Sequence, residues 1–314
     1  MLNRRHIRIK VLQTIYAMHQ SGSDVLDKEE RFLITVIENI QDLYLVMIST
    51  LTEIRKKEME FIEISKNKHL ATPEERNPNT KFINNQVLLL LNESRSLENA
   101  LEQRKVNYWS LNDDYILLLL EAIKQSDLYK QYMDSKEQSF ESDKRFVIDI
   151  FTEIIACNEK LYDYLEDVKL SWVDDIPLVN TTILKQLKQL SDSADYVFTV
   201  PKVYKDVDDK DFGIQLFRKT VLNEEALANE YIQRTPNWDP DRIAEVDTIM
   251  LKMAICEFTK FPSIPVKVTI NEYLEIAKEY STPKSSIFIN GILDGFVKEF
   301  QNTDKIRKSG RGLM

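Results

Sequence analysis

Four cations, Arg4, Arg5, Arg8 and Lys10, crowd the start of this 314-residue chain, with no acid anywhere in residues 1–23. At that density guanidinium and ammonium groups suit phosphate, and arginine also stacks on bases. A second acid-free cluster, Lys305, Arg307, Lys308 and Arg311, lies in residues 305–314. Each cluster carries +4, which leaves −17 on the remainder of a chain whose formal charge is −9. A polyanion is repelled by most of such a surface and drawn to its ends, so any nucleic-acid site has to be local and basic. For the second cluster the favoured reading is a solubilising, disordered end.

No other group of residues has the spacing of a reaction centre. The six glycines, at 22, 213, 291, 295, 310 and 312, form neither a phosphate-cradling loop before Lys-Ser/Thr nor a dinucleotide fingerprint. His6, His19 and His69 lack carboxylate or cysteine partners at zinc-site spacing, and Cys157 and Cys256 stand 99 positions apart. There is no Gly-x-Ser-x-Gly elbow. The expectation is a protein without catalytic residues, cofactor or metal. Both cysteines fall in apolar helical stretches, which predicts buried, reduced thiols and a cytoplasmic location. The longest unbroken apolar runs, Val87 to Leu91 and Ile116 to Leu120, are far short of the ~20 residues that span a bilayer, so no membrane segment is expected.

The elements that hold the first cluster are helical. Gly and Pro number 6 and 9, about 5% of the chain against about 12% in an average protein, so turns are scarce and segments long. Asn3 is placed to cap a first helix with apolar residues Ile7, Val11, Leu12, Ile15 and Tyr16, and Ser21-Gly22-Ser23 ends it. Lys28 to Leu70 reads as one long helix or two. Helical patterns follow at about Lys81 to Arg104, Asp113 to Asp134, Ser142 to Asp167 and Ile176 to Leu190, with Asn112 and Ser139 as caps. Tyr196 to Tyr204 is the best strand or extended-linker candidate. A helix over about Asp208 to Gln233 precedes one over Asp241 to Phe261, which Asp239-Pro240 would start and whose apolar residues surround the axis. Thr269 stands three residues before Glu272 in a capping-box pattern, opening a helix to Tyr280. Ser285 or Ser286 would cap the last helix, where Gly291 and Gly295 suggest close packing.

Several of these segments carry a family likeness. Ile264-Pro265-Val266-Lys267-Val268-Thr269-Ile270-Asn271-Glu272, followed by Glu275, Ala277 and Lys278 and then by Phe288-Ile289-Asn290-Gly291-Ile292-Leu293-Asp294, resembles the C-terminal signature of the NusB family of bacterial transcription antitermination factors. Leu251, Lys252, Ala254, Glu257 and Phe258 fit the helix before it. Arg4-Arg5-His6-Ile7-Arg8-Ile9-Lys10-Val11-Leu12-Gln13-Thr14-Ile15-Tyr16 is similar to the family's arginine-rich first helix. The likeness covers about residues 2 to 20 and 210 to 300, and ordinary members are less than half as long.

The resemblance implies an all-α, NusB-like helical bundle elaborated by a large helical insertion. Residues 1–24 and 206–304 would form the RNA-binding domain, 25–205 an insertion of unassigned role, and 305–314 a basic tail. The first helix must then return across the insertion to dock on the C-terminal helices. The resemblance also implies partners: boxA-like single-stranded RNA in nascent ribosomal transcripts, and the ribosomal protein that serves as NusE. Arg4, Arg5, Arg8 and Lys10 would engage the RNA, with His6 and Tyr16 as stacking candidates and Lys284 as a further contact; Tyr16 is equally a core residue. If all four cations neutralise phosphates, the logarithmic salt slope is about −3, a roughly fiftyfold loss between 50 and 200 mM salt. The competing reading is a helical interaction scaffold without RNA recognition. An RNA methyltransferase with a NusB-like domain would need a glycine-rich cofactor fold, which this sequence lacks.

Overall fold

Asn3 opens helix α1 (Arg4–Ser21) by accepting the backbone N–H groups of Arg5 and His6, and the His6 ring accepts the Asn3 N–H in return. Gly22 closes the helix in the left-handed region at φ 64°, where a Cβ would be strained. The structure, a computed structural model, describes residues 1–233, 243–302 and 305–313. It is 76% helical, with no strand among the described residues. The all-α expectation therefore holds.

After α1 come α2 (Leu26–Lys66), α3 (Pro73–Arg76), α4 (Gln86–Asn92), α5 (Arg95–Arg104), α6 (Tyr108–Leu111), α7 (Asp113–Gln125), α8 (Asp127–Asp134) and α9 (Phe140–Ile150). A π turn (Phe151–Ile155) leads to α10 (Glu159–Val168), a 3-10 turn (Leu170–Asp175) to α11 (Ile176–Gln189). Then follow α12 (Val207–Val221), α13 (Glu224–Ile232), α14 (Glu245–Lys260), α15 (Val266–Tyr280) and α16 (Pro283–Asn302). Four segments that read as continuous helices are each broken once or twice. Ser94, Ser126 and Asn158 turn their side chains onto the next helix's N–H groups, so an internal Ser or Asn restarts the chain where apolar spacing alone runs on. Ser139 caps as expected, whereas Asn112 precedes α7 without a side-chain bond. Asp239-Pro240, expected to start α14, lies outside the described residues.

The chain divides into two compact units, one of residues 38–203 with Met1, the other of residues 2–37 with 204–314. The insertion expected over 25–205 differs from this division at its start, since the first three turns of α2 belong to the second unit. All of the chain's net charge of −9 falls in the unit of residues 38–203, and the other unit is neutral.

In the unit of residues 38–203, the middle of α2 is core. Leu43 to Ile48, Leu51 and Ile54 are buried, and the Trp109 and Trp172 indoles donate to the carbonyls of Val46 and Asn39. By length and composition α2 is apolar enough to cross a membrane, a signal that counting unbroken runs missed. Its most apolar window is 67% buried inside the protein, as in a core helix. Residues 196–203 form no strand; Phe198 is buried, and side chains of Ser96 and Gln186 bond the Val200 N–H and the Thr199 carbonyl. Cys157 is exposed, contrary to the expected burial, because the π turn and the turn after it carry it off the buried stripe; Cys256 is buried.

The second unit is built on α14. Ile249 to Cys256 and Phe258 are buried except for Lys252, so the helix is enclosed on nearly every side, and α1, α12, α13, α15 and α16 all pack against it. The first helix does dock on the C-terminal helices. It also meets Gly213 of α12, where an added Cβ would lie 2.8 Å from Ile7 Cγ2. Gly291 and Gly295 are different: a Cβ at either meets nothing within 4 Å, so the expected close packing is absent there.

Candidate nucleic-acid interface

A carboxylate in the middle of an enclosed apolar helix needs a partner, and Glu257 of α14, fully buried, has several. Arg8 donates to it twice, Nε to Oε1 at 2.6 Å and Nη2 to Oε2 at 2.8 Å. The Tyr273 hydroxyl donates to Oε1 at 2.8 Å and the Thr269 hydroxyl to Oε2 at 3.2 Å. Burial alone would lower the Arg8 pKa, but Glu257 outweighs it and the net shift is upward, so Arg8 keeps its charge. Burial and then Glu257 push Tyr273 well above its ordinary value, which keeps it a donor. Arg8 also lies over the rings of Phe212 and Tyr273, 5.0 and 5.9 Å from their centroids.

The expected capping box at Thr269 and Glu272 does not form. Helix α15 begins earlier, after Pro265, with no side-chain cap, and the two side chains take other partners, Glu257 for one and the arginines for the other. Thr269 joins Glu257, while Glu272 accepts Arg5 Nε and Nη2, both at 3.0 Å, and comes within 3.8 Å of Arg8 Nη1. Arg4 Nε donates to Asp209 of α12 at 2.9 Å, and its guanidinium lies over Phe212.

Arg4 and Arg5 stay partly open, with side chains 42% and 35% exposed. Together with Asn3, Arg8, Ser263, Ile264, Pro265, Val268 and Glu272 they border a cleft of about 570 Å3. Cations stand on one rim and the apolar α14–α15 corner on the other, a combination suited to a phosphate and an adjoining flat base.

Of the remaining sequence candidates Arg8 joins the lining of the cleft, and Lys10, His6, Tyr16 and Lys284 do not. Arg8 and Lys10 are buried, at 1% and 3% exposure, which takes their charges away from a ligand's phosphates; the sequence reading counted both among the contacts. His6 serves the Asn3 cap, and burial followed by repulsion from Arg5 and Lys10 lowers its pKa, so the ring is a neutral acceptor near pH 7. Tyr16 is 39% exposed, on the meridian of Arg5 but ~16 Å further along α1. Lys284 is exposed at the start of α16, outside the lining of the cleft.

Asp209, Phe212, Glu257, Glu272, Ile264 and Val268 complete the site, and none was singled out as a contact from sequence. Only Glu257 left a local trace, a charge inside an all-round apolar helix. His19 forms another cluster that spacing could not reveal: Nε2 and Nδ1 each lie 2.9 Å from a carboxylate, Glu224 of α13 and Glu245 of α14. Lys252 also reaches Glu224, at 2.6 Å, and the hydrogen bond from His19 with that from Lys252 lowers the Glu224 pKa to about 2. No cluster able to hold a metal ion occurs among the described residues.

The expected basic tail is ordered through part of its length. Lys308 Nζ donates to the carbonyls of Glu257 and Phe261, and burial lowers its pKa to about 8. The side chain of Arg311 lies outside the described residues.

The NusB family model matches residues 181–298. A protein named transcription antitermination protein NusB from Salinibacter ruber is 40% identical over 111 residues, 35% of this chain and 69% of that protein. Proteins of the same name from Chloroherpeton thalassium and Clostridium kluyveri are 38% and 39% identical over 112 and 100 residues, covering 36% and 32% of this chain and 53% and 62% of theirs. No solved structure matches the chain. With a family-model match across α11 to α16 and a relative covered over more than two thirds of its length, the chain belongs to the NusB family.

Proposed function

We propose that this protein is an RNA-binding transcription antitermination factor, recognising boxA-type single-stranded RNA in nascent ribosomal transcripts together with the ribosomal protein NusE, in the cytoplasm. The observation that carries the reading is the cleft where Arg4 and Arg5, half open, face the apolar corner of Ile264, Pro265 and Val268. The neutral charge of the unit that contains it removes the repulsion an acidic body would impose. In this reading Arg4 and Arg5 exchange Asp209 and Glu272 for phosphates, and Lys284, Tyr16 and His6 are outlying contacts. Arg8 acts as a positioning residue by holding α1 on α14 and α15. Residues 38–203, which carry the chain's net negative charge, are an insertion of unassigned role.

The phosphate count is then two or three rather than four, giving a salt slope of about −1.4 to −2 and a roughly seven- to twentyfold loss between 50 and 200 mM salt. Titration of boxA-like and scrambled RNAs, with and without NusE, against wild type and Arg4→Ala/Arg5→Ala is the test. Tighter binding of the boxA-like RNA, and a shallower slope in the variant, are expected. Equal affinity for both RNAs, or an unchanged slope in a folded variant, refutes the reading. One observation favours a second reading, a protein-interaction scaffold: both open arginines already have carboxylate partners. That reading expects a defined protein complex and no RNA binding.

A further inference from the structure

Helix α14 ends at Lys260, and the carbonyls of its last turn point away from any further helical N–H. The segment Lys305–Leu313 supplies donors to that end. Lys308 Nζ lies 3.0 Å from the Glu257 carbonyl and 2.9 Å from the Phe261 carbonyl, and the Ser309 N–H donates to the Pro262 carbonyl at 3.0 Å. A cation there also complements the negative end of the helix. Gly312 is buried in the same contact: a Cβ on it would stand 2.0 Å from the Pro262 carbonyl oxygen, so the two backbones meet at a distance that only glycine permits.

These contacts fall on residues that also build the cleft. Glu257 offers its carbonyl to Lys308 and its carboxylate to Arg8. Phe261 and Pro262, which the segment grips, lead directly into Ser263, Ile264 and Pro265 on the cleft wall. We infer that Lys305–Leu313 is a strap that holds the α14–α15 corner in place, with Lys308 a positioning residue for the arginine cleft. Its effect on RNA rests on the function proposed above, whereas its effect on the corner does not.

Full-length wild type, Lys308→Met, Lys308→Arg, Gly312→Ala and Lys305→Met decide the matter. Lys305→Met removes the same charge from a side chain that pairs with Glu230 of α13 rather than with the corner. Hydrogen exchange at the Phe261, Ser263 and Ile264 amides is measured first, alongside a thermal melt to establish folding. Lys308→Met and Gly312→Ala are expected to speed exchange there tenfold or more, with Lys308→Arg partly protective and Lys305→Met like wild type. Wild-type exchange in both of the first two variants overturns the strap. In RNA titrations Lys308→Met and Gly312→Ala should lose affinity about fivefold at an unchanged salt slope, because Lys308 touches no phosphate. A loosened corner with full affinity overturns the positioning role, and a slope shallower by about 0.7 in Lys308→Met overturns it in favour of direct phosphate contact. If wild type binds no RNA, the proposed function falls, and the exchange arm still judges the strap.

Discussion

Replacing Glu257 by Ala should be among the most damaging single changes in the second unit. It removes the acceptor of four hydrogen bonds and leaves the Arg8 guanidinium, with a side chain 2% exposed, without its counter-ion. The nearest remaining carboxylate, Glu272, is 3.8 Å from Nη1 and already committed to Arg5. An uncompensated buried charge of this kind costs about 3–5 kcal/mol. At about 2–4 °C per kcal/mol for a unit of this size, the melting temperature should fall by roughly 6–20 °C. Arg8→Met should cost less, because the orphaned Glu257 can take up a proton whereas arginine cannot release one. Joining Arg8→Met with Glu257→Leu removes both charges and should return to within about 1–2 kcal/mol of wild type. Chemical denaturation of wild type, Arg8→Met, Glu257→Leu and the double variant closes the cycle, with Glu257→Ala measured beside them. A Glu257→Ala cost below ~1 kcal/mol, or a double variant as unstable as the two single costs added together, would refute the account of Arg8 as a positioning residue held by a buried pair.

Other outcomes follow from the same packing. The hydrogen bond to Glu224 and that to Glu245 outweigh the burial of His19 and raise its pKa, so its contribution is fully present below ~6.5 and is lost as pH rises through the higher folded value. Thermal melts of wild type and His19→Gln from pH 5.5 to 8.5 should therefore converge at the alkaline end; parallel curves would show that the clamp carries no net charge. Gly291→Ala and Gly295→Ala should each raise stability by up to about 1 kcal/mol, since helix propensity improves and the added methyl meets open space. Gly213→Ala should instead destabilise by about 1–3 kcal/mol, because the methyl meets the stiff β-branched Ile7 at 2.8 Å. Equal effects at all three positions would contradict the packing described.

By itself the sequence determined the helical class, the start of α1 at Asn3, its end at Gly22 and the enclosed character of α14. All of these depend on neighbours within a few residues, through capping groups, a left-handed glycine and apolar spacing. It also carried the family likeness in segments around residues 2 to 20 and 210 to 300. Tertiary structure decided what each charge does. Arg5 and Arg8 lie three residues apart on one helix and line the same cleft, yet one stays partly open and the other is sealed against Glu257, 249 positions away. Thr269 and Glu272 have capping-box spacing, but Glu257 takes the Thr269 hydroxyl and the arginines of α1 take the Glu272 carboxylate. Lys308 reads as part of a loose basic end until the terminal carbonyls of α14 are seen beside it. A charge is placed by the partners that offset its loss of water, and here those partners come from distant parts of the chain, where no local pattern can register them.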